Sequence, residues 1–219
     1  MLYHAYELQK NWLAGASALA QAGAQFVNHP ANPFAAMSSG SMVGSALEVF
    51  AHASAPRGKP AFGLDKVVVD GKAFAVTERI EARLPFGQLK HFCHDAAVGK
   101  PKLLIVAPMS GHYATLLRGT VERMLPSHDV WITDWRDARN VPLADGSFDL
   151  DDYIDYVIGW MEHIGKGAHM LAVCQPSVPS FAAAAIMSAD RNPARPRTLT
   201  MMGGPIDTRE APTAVNEHA

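Results

Sequence analysis

Five residues constrain this chain more than any others: Ala172-Val173-Cys174-Gln175-Pro176. An apolar run, Ala168-His169-Met170-Leu171, leads into them. A helix-prone run, Ser180-Phe181-Ala182-Ala183-Ala184-Ala185-Ile186-Met187, follows. A short apolar run bounded by turn residues reads as a buried strand. A reactive side chain on a sharp turn between strand and helix is a nucleophile elbow. The thiol of Cys174 would project from the carboxyl edge of a sheet, where the N-terminus of the next helix favours thiolate. Elbows prefer small residues two before and two after the nucleophile. Ala172 fits, and Pro176 replaces the usual glycine. The competing reading is a buried structural cysteine, a common fate of that residue. Ser177 is a weaker rival nucleophile because it falls within or just before the helix.

The surrounding chain alternates strand and helix. Leu103-Leu104-Ile105-Val106-Ala107 is an uninterrupted apolar run, as expected of a strand covered on both faces. The pattern predicts a helix over 114–124, a strand over 129–134 and a helix over 150–163, with Phe148, Asp149 and Leu150 as its cap and staple. Strands over 170–173 and 197–202 flank the Ala-rich helix. This alternation implies right-handed crossovers and a parallel sheet, an α/β fold. Upstream, Asp70-Gly71 lies between β-prone segments and predicts a hairpin over 66–79. Residues 80–92 alternate and read as an antiparallel edge. Residues 3–27 and 42–53 read as helices joined by a loop over 28–42, and Pro56, Gly58 and Pro60 mark a boundary. The expected organisation is a helical extension over 1–60 and an α/β domain over 61–219.

The totals exclude several classes. With 219 residues and 48% hydrophobic side chains, the chain can bury a core of its own. Nineteen basic against 21 acidic residues give a net charge of −2 with no basic run, so no nucleic-acid partner is expected. The N-terminus lacks a basic stretch followed by an apolar one, and no apolar run reaches about 18 residues, so neither a secretory signal nor a membrane span is expected. Cys93 and Cys174 then read as free thiols in a reducing cytoplasm.

Other constellations refine the picture. Pro108-Met109-Ser110-Gly111-His112-Tyr113 follows a buried strand. In α/β-hydrolases that loop supplies one oxyanion N–H and the residue after the nucleophile supplies the other. This assigns the Gln175 N–H together with that of Met109 or Ser110. His112 reads as a loop histidine rather than a base. His91-Phe92-Cys93-His94-Asp95 gathers metal-binding types, but too close together for the usual zinc spacing and without a second pair, so no metal and no cofactor is expected. Asp134 and Asp137 either line the cleft or cap a turn. Downstream of the elbow, Asp207 follows the last strand, Glu210 and Glu217 lie further out, and His218 is the one histidine.

Several segments resemble the intracellular polyhydroxyalkanoate (polyhydroxybutyrate) depolymerases. They are Met1-Leu2-Tyr3-His4-Ala5-Tyr6-Glu7, Ala107-Pro108-Met109-Ser110-Gly111-His112-Tyr113-Ala114-Thr115-Leu116-Leu117-Arg118, Thr133-Asp134-Trp135-Arg136-Asp137-Ala138-Arg139, Val173-Cys174-Gln175-Pro176 and Met202-Gly203-Gly204-Pro205-Ile206-Asp207. The resemblance implies an α/β-hydrolase whose Cys174 attacks the ester of poly(3-hydroxybutyrate) on cytoplasmic granules. Polyhydroxyalkanoate synthases share the fold and thiol but carry a Gly-x-Cys-x-Gly box that this chain lacks. Family members are roughly twice as long, with the catalytic Asp and His in the other half, so the chain resembles an N-terminal half with an incomplete fold. Neither Asp207 nor His218 matches those catalytic residues. Two alternatives are a synthase-like acyltransferase and a non-catalytic granule-binding protein that touches polymer through Trp12 and Phe26, residues more often found in cores.

Overall fold

The computed structural model describes residues 2–33, 38–55, 58–109, 113–207 and 209–210, without the side chains of residues 2–3 and 38–39. Two compact units divide the chain, Met1–Lys59 and Pro60–Ala219.

The first unit is a helical hairpin of α1 (Leu2–Val27) and α2 (Ser38–Ser54). Its helices meet through small residues. Ala20, Ala24 and Ala51 are buried, and the Ser17 hydroxyl donates to the Ala51 carbonyl at 2.8 Å. A Cβ on Gly44 would lie 2.0 Å from Asn28 Oδ1, so a larger residue there would have to push the Asn28 side chain aside. Small residues also explain why α2 begins before residue 42. Ser and Gly there suggest a loop by propensity, yet they suit a helix held close to a neighbour. Trp12 and Phe26, residues more often found in cores, are 70% and 73% exposed, as contact with polymer would need.

The second unit begins with the Asp-Gly hairpin. Strands β1 (Lys66–Val69) and β2 (Lys72–Ala75) pair across Asp70 and Gly71, whose φ values of +51° and +77° are those of a type I′ turn. The main sheet holds β3 (Thr77–Leu84), β4 (Gly87–Cys93), β5 (Lys102–Val106), β6 (Asp129–Trp135), β7 (His169–Val173) and β8 (Leu199–Met202). Their order is β3-β4-β6-β5-β7-β8. β4 runs antiparallel to β3 and β6, and the ladders from β6 through β5 and β7 to β8 are parallel. The antiparallel edge foreseen over 80–92 is therefore a hairpin turning at Pro85-Phe86.

Helices cover both faces, which is why the central strands carry continuous apolar runs. Leu104, Ile105 and Val106 have no exposed surface. On one face α3 (Arg118–Met124) and the 3-10 turn before it bury Leu117 and Val121 against Ile105, Val130 and Ile132. On the other, α4 (Leu150–Ile164) and α5 (Ser177–Ala189) bury Val157, Trp160, Met161, Ala183 and Met187 against Leu89, Leu104 and Met170. Asp149 caps α4 in a capping box, accepting from the Asp151 and Asp152 N–H groups while Asp152 reaches back to the Asp149 N–H at 2.9 Å.

Candidate active site

The chain leaves β7 at Val173 and enters α5 at Ser177, with three residues for the turn. Cys174 takes up the reversal with a φ of +67°, a region costly for a residue with a Cβ. The strain is held from both sides. The Cys174 N–H donates to the Met202 carbonyl at 2.8 Å, extending the β7–β8 ladder, and the Cys174 carbonyl accepts from the Ser177 N–H at 3.0 Å. The thiol is exposed. A strained, solvent-facing side chain between a buried parallel strand and a helix is the geometry of a nucleophile elbow.

Gly204, past the end of β8, makes this turn possible. A Cβ there would lie 2.0 Å from Ser177 Oγ, 2.1 Å from Ser177 Cβ and 3.0 Å from the Cys174 carbonyl oxygen. Ser177 is completely buried, and its Oγ has no hydrogen-bond partner among the described residues. Cys174, not Ser177, is thus the exposed side chain of this turn.

The loop after β5 is fixed at its first residue. The Ala107 N–H donates to Thr133 Oγ1 at 2.9 Å. The Ala107 carbonyl accepts from Trp135 Nε1 at 2.8 Å and from the Tyr153 hydroxyl at 3.3 Å. Burial pushes the Tyr153 hydroxyl well above its ordinary pKa, so it stays a donor. Two residues on, the Met109 N–H donates to the Gln175 side-chain Oε1 at 3.1 Å. The loop after β5 and Gln175, the residue after Cys174, are thus in direct contact. In this conformation the glutamine's own carbonyl occupies the Met109 donor. The other candidate, Ser110, lies outside the described residues, as do Gly111, His112, Glu217 and His218.

Three of the acidic candidates are otherwise employed. Asp134 does not line the cleft. It is fully buried, 3.3 Å from Lys90 Nζ, and accepts from Gln88 Nε2 at 2.8 Å. Lys90, itself buried, also bonds Glu78. Asp137 caps the turn after β6, accepting from the Arg139 N–H at 3.2 Å. Asp207 is clamped by the Arg209 guanidinium at 2.7 Å, which holds its carboxyl below the usual range. Among the described residues no side chain hydrogen-bonds the Cys174 thiol.

Sequence reasoning missed Gly204, whose role depends on a contact across 27 residues to Ser177, and the Gln175–Met109 contact. The only signal was the juxtaposition of Gly203 and Gly204 with a strand end.

The antiparallel β4 beside β6, the exchanged order of β5 and β6, helices on both faces and a strained elbow after β7 define an α/β-hydrolase fold. No protein-family model and no curated protein matches the chain. Among solved structures, the chain is similar to an alpha/beta hydrolase from Novosphingobium aromaticivorans at 12% identity, over 57% of this chain, with a TM-score of 0.35. The chain spans 43% of the length of that structure.

Proposed function

We propose that this chain carries the nucleophilic machinery of a thiol ester hydrolase of the polyhydroxyalkanoate depolymerase type, acting on poly(3-hydroxybutyrate). The observation that carries the reading is the exposed Cys174 thiol on an elbow with a φ of +67°. The thiolate attacks the ester carbonyl. The carbonyl oxygen, gaining charge, takes the place of Gln175 Oε1 at the Met109 N–H, or binds at Ser110, and shares the Gln175 N–H. Collapse breaks the ester C–O bond and leaves a 3-hydroxyacyl thioester on Cys174, while the departing alkoxide takes a proton from water. Hydrolysis of that thioester needs a general base. None is hydrogen-bonded to the thiol among the described residues, so the reading assigns acylation to these residues and leaves deacylation outside them.

A nitrophenyl ester of 3-hydroxybutyrate tests this. One equivalent of nitrophenol per chain in a rapid burst, absent in Cys174→Ala, is expected. A burst of equal size in Cys174→Ala overturns the reading.

The helical hairpin suits contact with a hydrophobic polymer, because Trp12, Leu19 and Phe26 are exposed on α1 and Val49 on α2. Co-sedimentation with amorphous polymer should fall in a Trp12→Glu, Phe26→Glu double variant. Unchanged co-sedimentation removes the hairpin from polymer binding.

A further inference from the structure

At the opposite end of the sheet from Cys174, three unlike ligand types converge. His91 and Cys93 are two apart on β4 and so share a face. Glu81 joins them from β3 because the ladder is irregular there: Ile80 pairs with Lys90 and Ala82 with Leu89, so Glu81 is the extra residue of a bulge. Bulges re-aim side chains in this way. The Glu81 carboxylate, an imidazole nitrogen of His91 and the Cys93 sulfur all lie within 4.8 Å of one another. His91 Nδ1 is 3.1 Å from Cys93 Sγ and 3.5 Å from Glu81 Oε1.

The histidine is oriented from behind. Its Nε2 faces Asp129 Oδ1 at 2.5 Å, and Trp131 Nε1 donates to the other oxygen at 3.3 Å. The imidazole lies flat on the Trp131 indole, with centroids 3.8 Å apart and planes 6° from parallel. With Nε2 against the Asp129 carboxylate, Nδ1 is the ring nitrogen that faces the Cys93 sulfur and the Glu81 carboxylate.

We propose that Glu81, His91 and Cys93 bind a divalent zinc-class ion, with Asp129 as the carboxylate that positions His91. Around tetrahedral zinc, bonds of about 2.0–2.3 Å place neighbouring donors roughly 3.3–3.6 Å apart. The two separations from Nδ1 fall close to this range, and the Glu81 carboxylate and Cys93 sulfur lie within 4.8 Å of each other. The thiol proton leaves to solvent as the Cys93–metal bond forms. A carboxylate behind a metal-binding histidine is the usual second-shell arrangement, and sulfur with nitrogen favours zinc over magnesium or calcium. Three protein ligands leave a fourth position for water. Local spacing argues against a metal because it sees only His91, Cys93 and their neighbours in sequence. The third ligand comes from another strand, and His94 is not involved, since its Nε2 bonds the Leu125 carbonyl at 3.2 Å. The ion ties the bulged edge strand β3 to β4 and, through Asp129, to β6.

The test uses the purified 219-residue chain stripped with a chelator, with Cys174→Ala as background so that the elbow thiol cannot contribute. Zinc titrated against a chromophoric chelator should bind at one ion per chain and protect Cys93 from alkylation. Cobalt in its place should show thiolate-to-metal charge transfer and tetrahedral visible bands. Glu81→Gln, at an exposed carboxylate, should weaken binding at least tenfold, and Asp129→Asn by about 10–100-fold. Cys93→Ser should abolish the charge-transfer band. No stoichiometric ion, or unchanged affinity in both Glu81→Gln and Cys93→Ser, overturns the proposal.

Discussion

Gly204→Ala probes the packing that holds the elbow. The added methyl would start 2.0 Å from Ser177 Oγ, 2.1 Å from Ser177 Cβ and 3.0 Å from the Cys174 carbonyl oxygen. Comfortable contacts between such atoms lie near 3.5 Å. The β8 exit and the start of α5 must therefore separate by more than about 1 Å. Neither side yields easily, because the blocking atoms are the backbone of the elbow and the first residue of a helix rather than the tip of a long side chain. Overpacking of this kind costs about 1–3 kcal/mol, or roughly 2–12 °C in Tm for a domain of this size. The functional loss should exceed the structural one. The Cys174 carbonyl is one of the atoms displaced, and a 1 Å shift of a reacting group costs about 100-fold in rate. The assay pairs thermal unfolding with the burst rate on the nitrophenyl ester. Ser177→Gly added to Gly204→Ala removes the two closest atoms and should restore most of the Tm. A Gly204→Ala protein that melts within about a degree of the parent and acylates within twofold would refute the claim that this contact shapes the elbow.

Three further outcomes follow from named groups. Lys90→Met removes the cation facing the wholly buried Asp134 carboxylate and should cost about 3–5 kcal/mol by denaturant unfolding, while Lys90→Met combined with Asp134→Leu should recover most of it; a loss below about 1 kcal/mol in the single variant contradicts the pairing. Burial, with Lys100 nearby, holds His94 below its ordinary pKa of 6.5, and its Nδ1 has no partner among the described residues. Its contribution is therefore full above pH 6.5 and is lost as pH falls through the lowered folded value, so stability should decline on acidification in the parent and less in His94→Gln, with equal slopes arguing against it. Ser177→Ala should retain the full acylation burst and lose no stability, since the hydroxyl it removes is buried without a partner among the described residues; a lost burst would return Ser177 to candidacy.

The elbow was legible because its signals are local. An apolar strand, a cysteine and a helix-prone run follow one another within one segment, and the only difference is that α5 starts at Ser177 rather than Ser180. The Asp-Gly turn was legible for the same reason. What escaped depends on residues brought together from distant segments. Asp134 reads as a cleft or turn-capping residue until β4 places Lys90 beside it. Sequence left Trp12 and Phe26 open between core and surface, and the helical hairpin leaves both exposed. The Glu81–His91–Cys93 cluster requires a bulge, which leaves no periodic trace in the sequence.

The most direct test of the elbow uses the two cysteines as each other's control. Cys174 is exposed, whereas burial holds the Cys93 thiol above its ordinary pKa. The protein is exposed to one equivalent of an activated 3-hydroxybutyryl ester, digested, and each cysteine peptide weighed by mass spectrometry. The 3-hydroxybutyryl group should sit on Cys174, with Cys93 unmodified. An adduct on Cys93, equal labelling of both, or labelling of Cys174 that persists unchanged after Gly204→Ala would contradict a nucleophile held by a strained elbow.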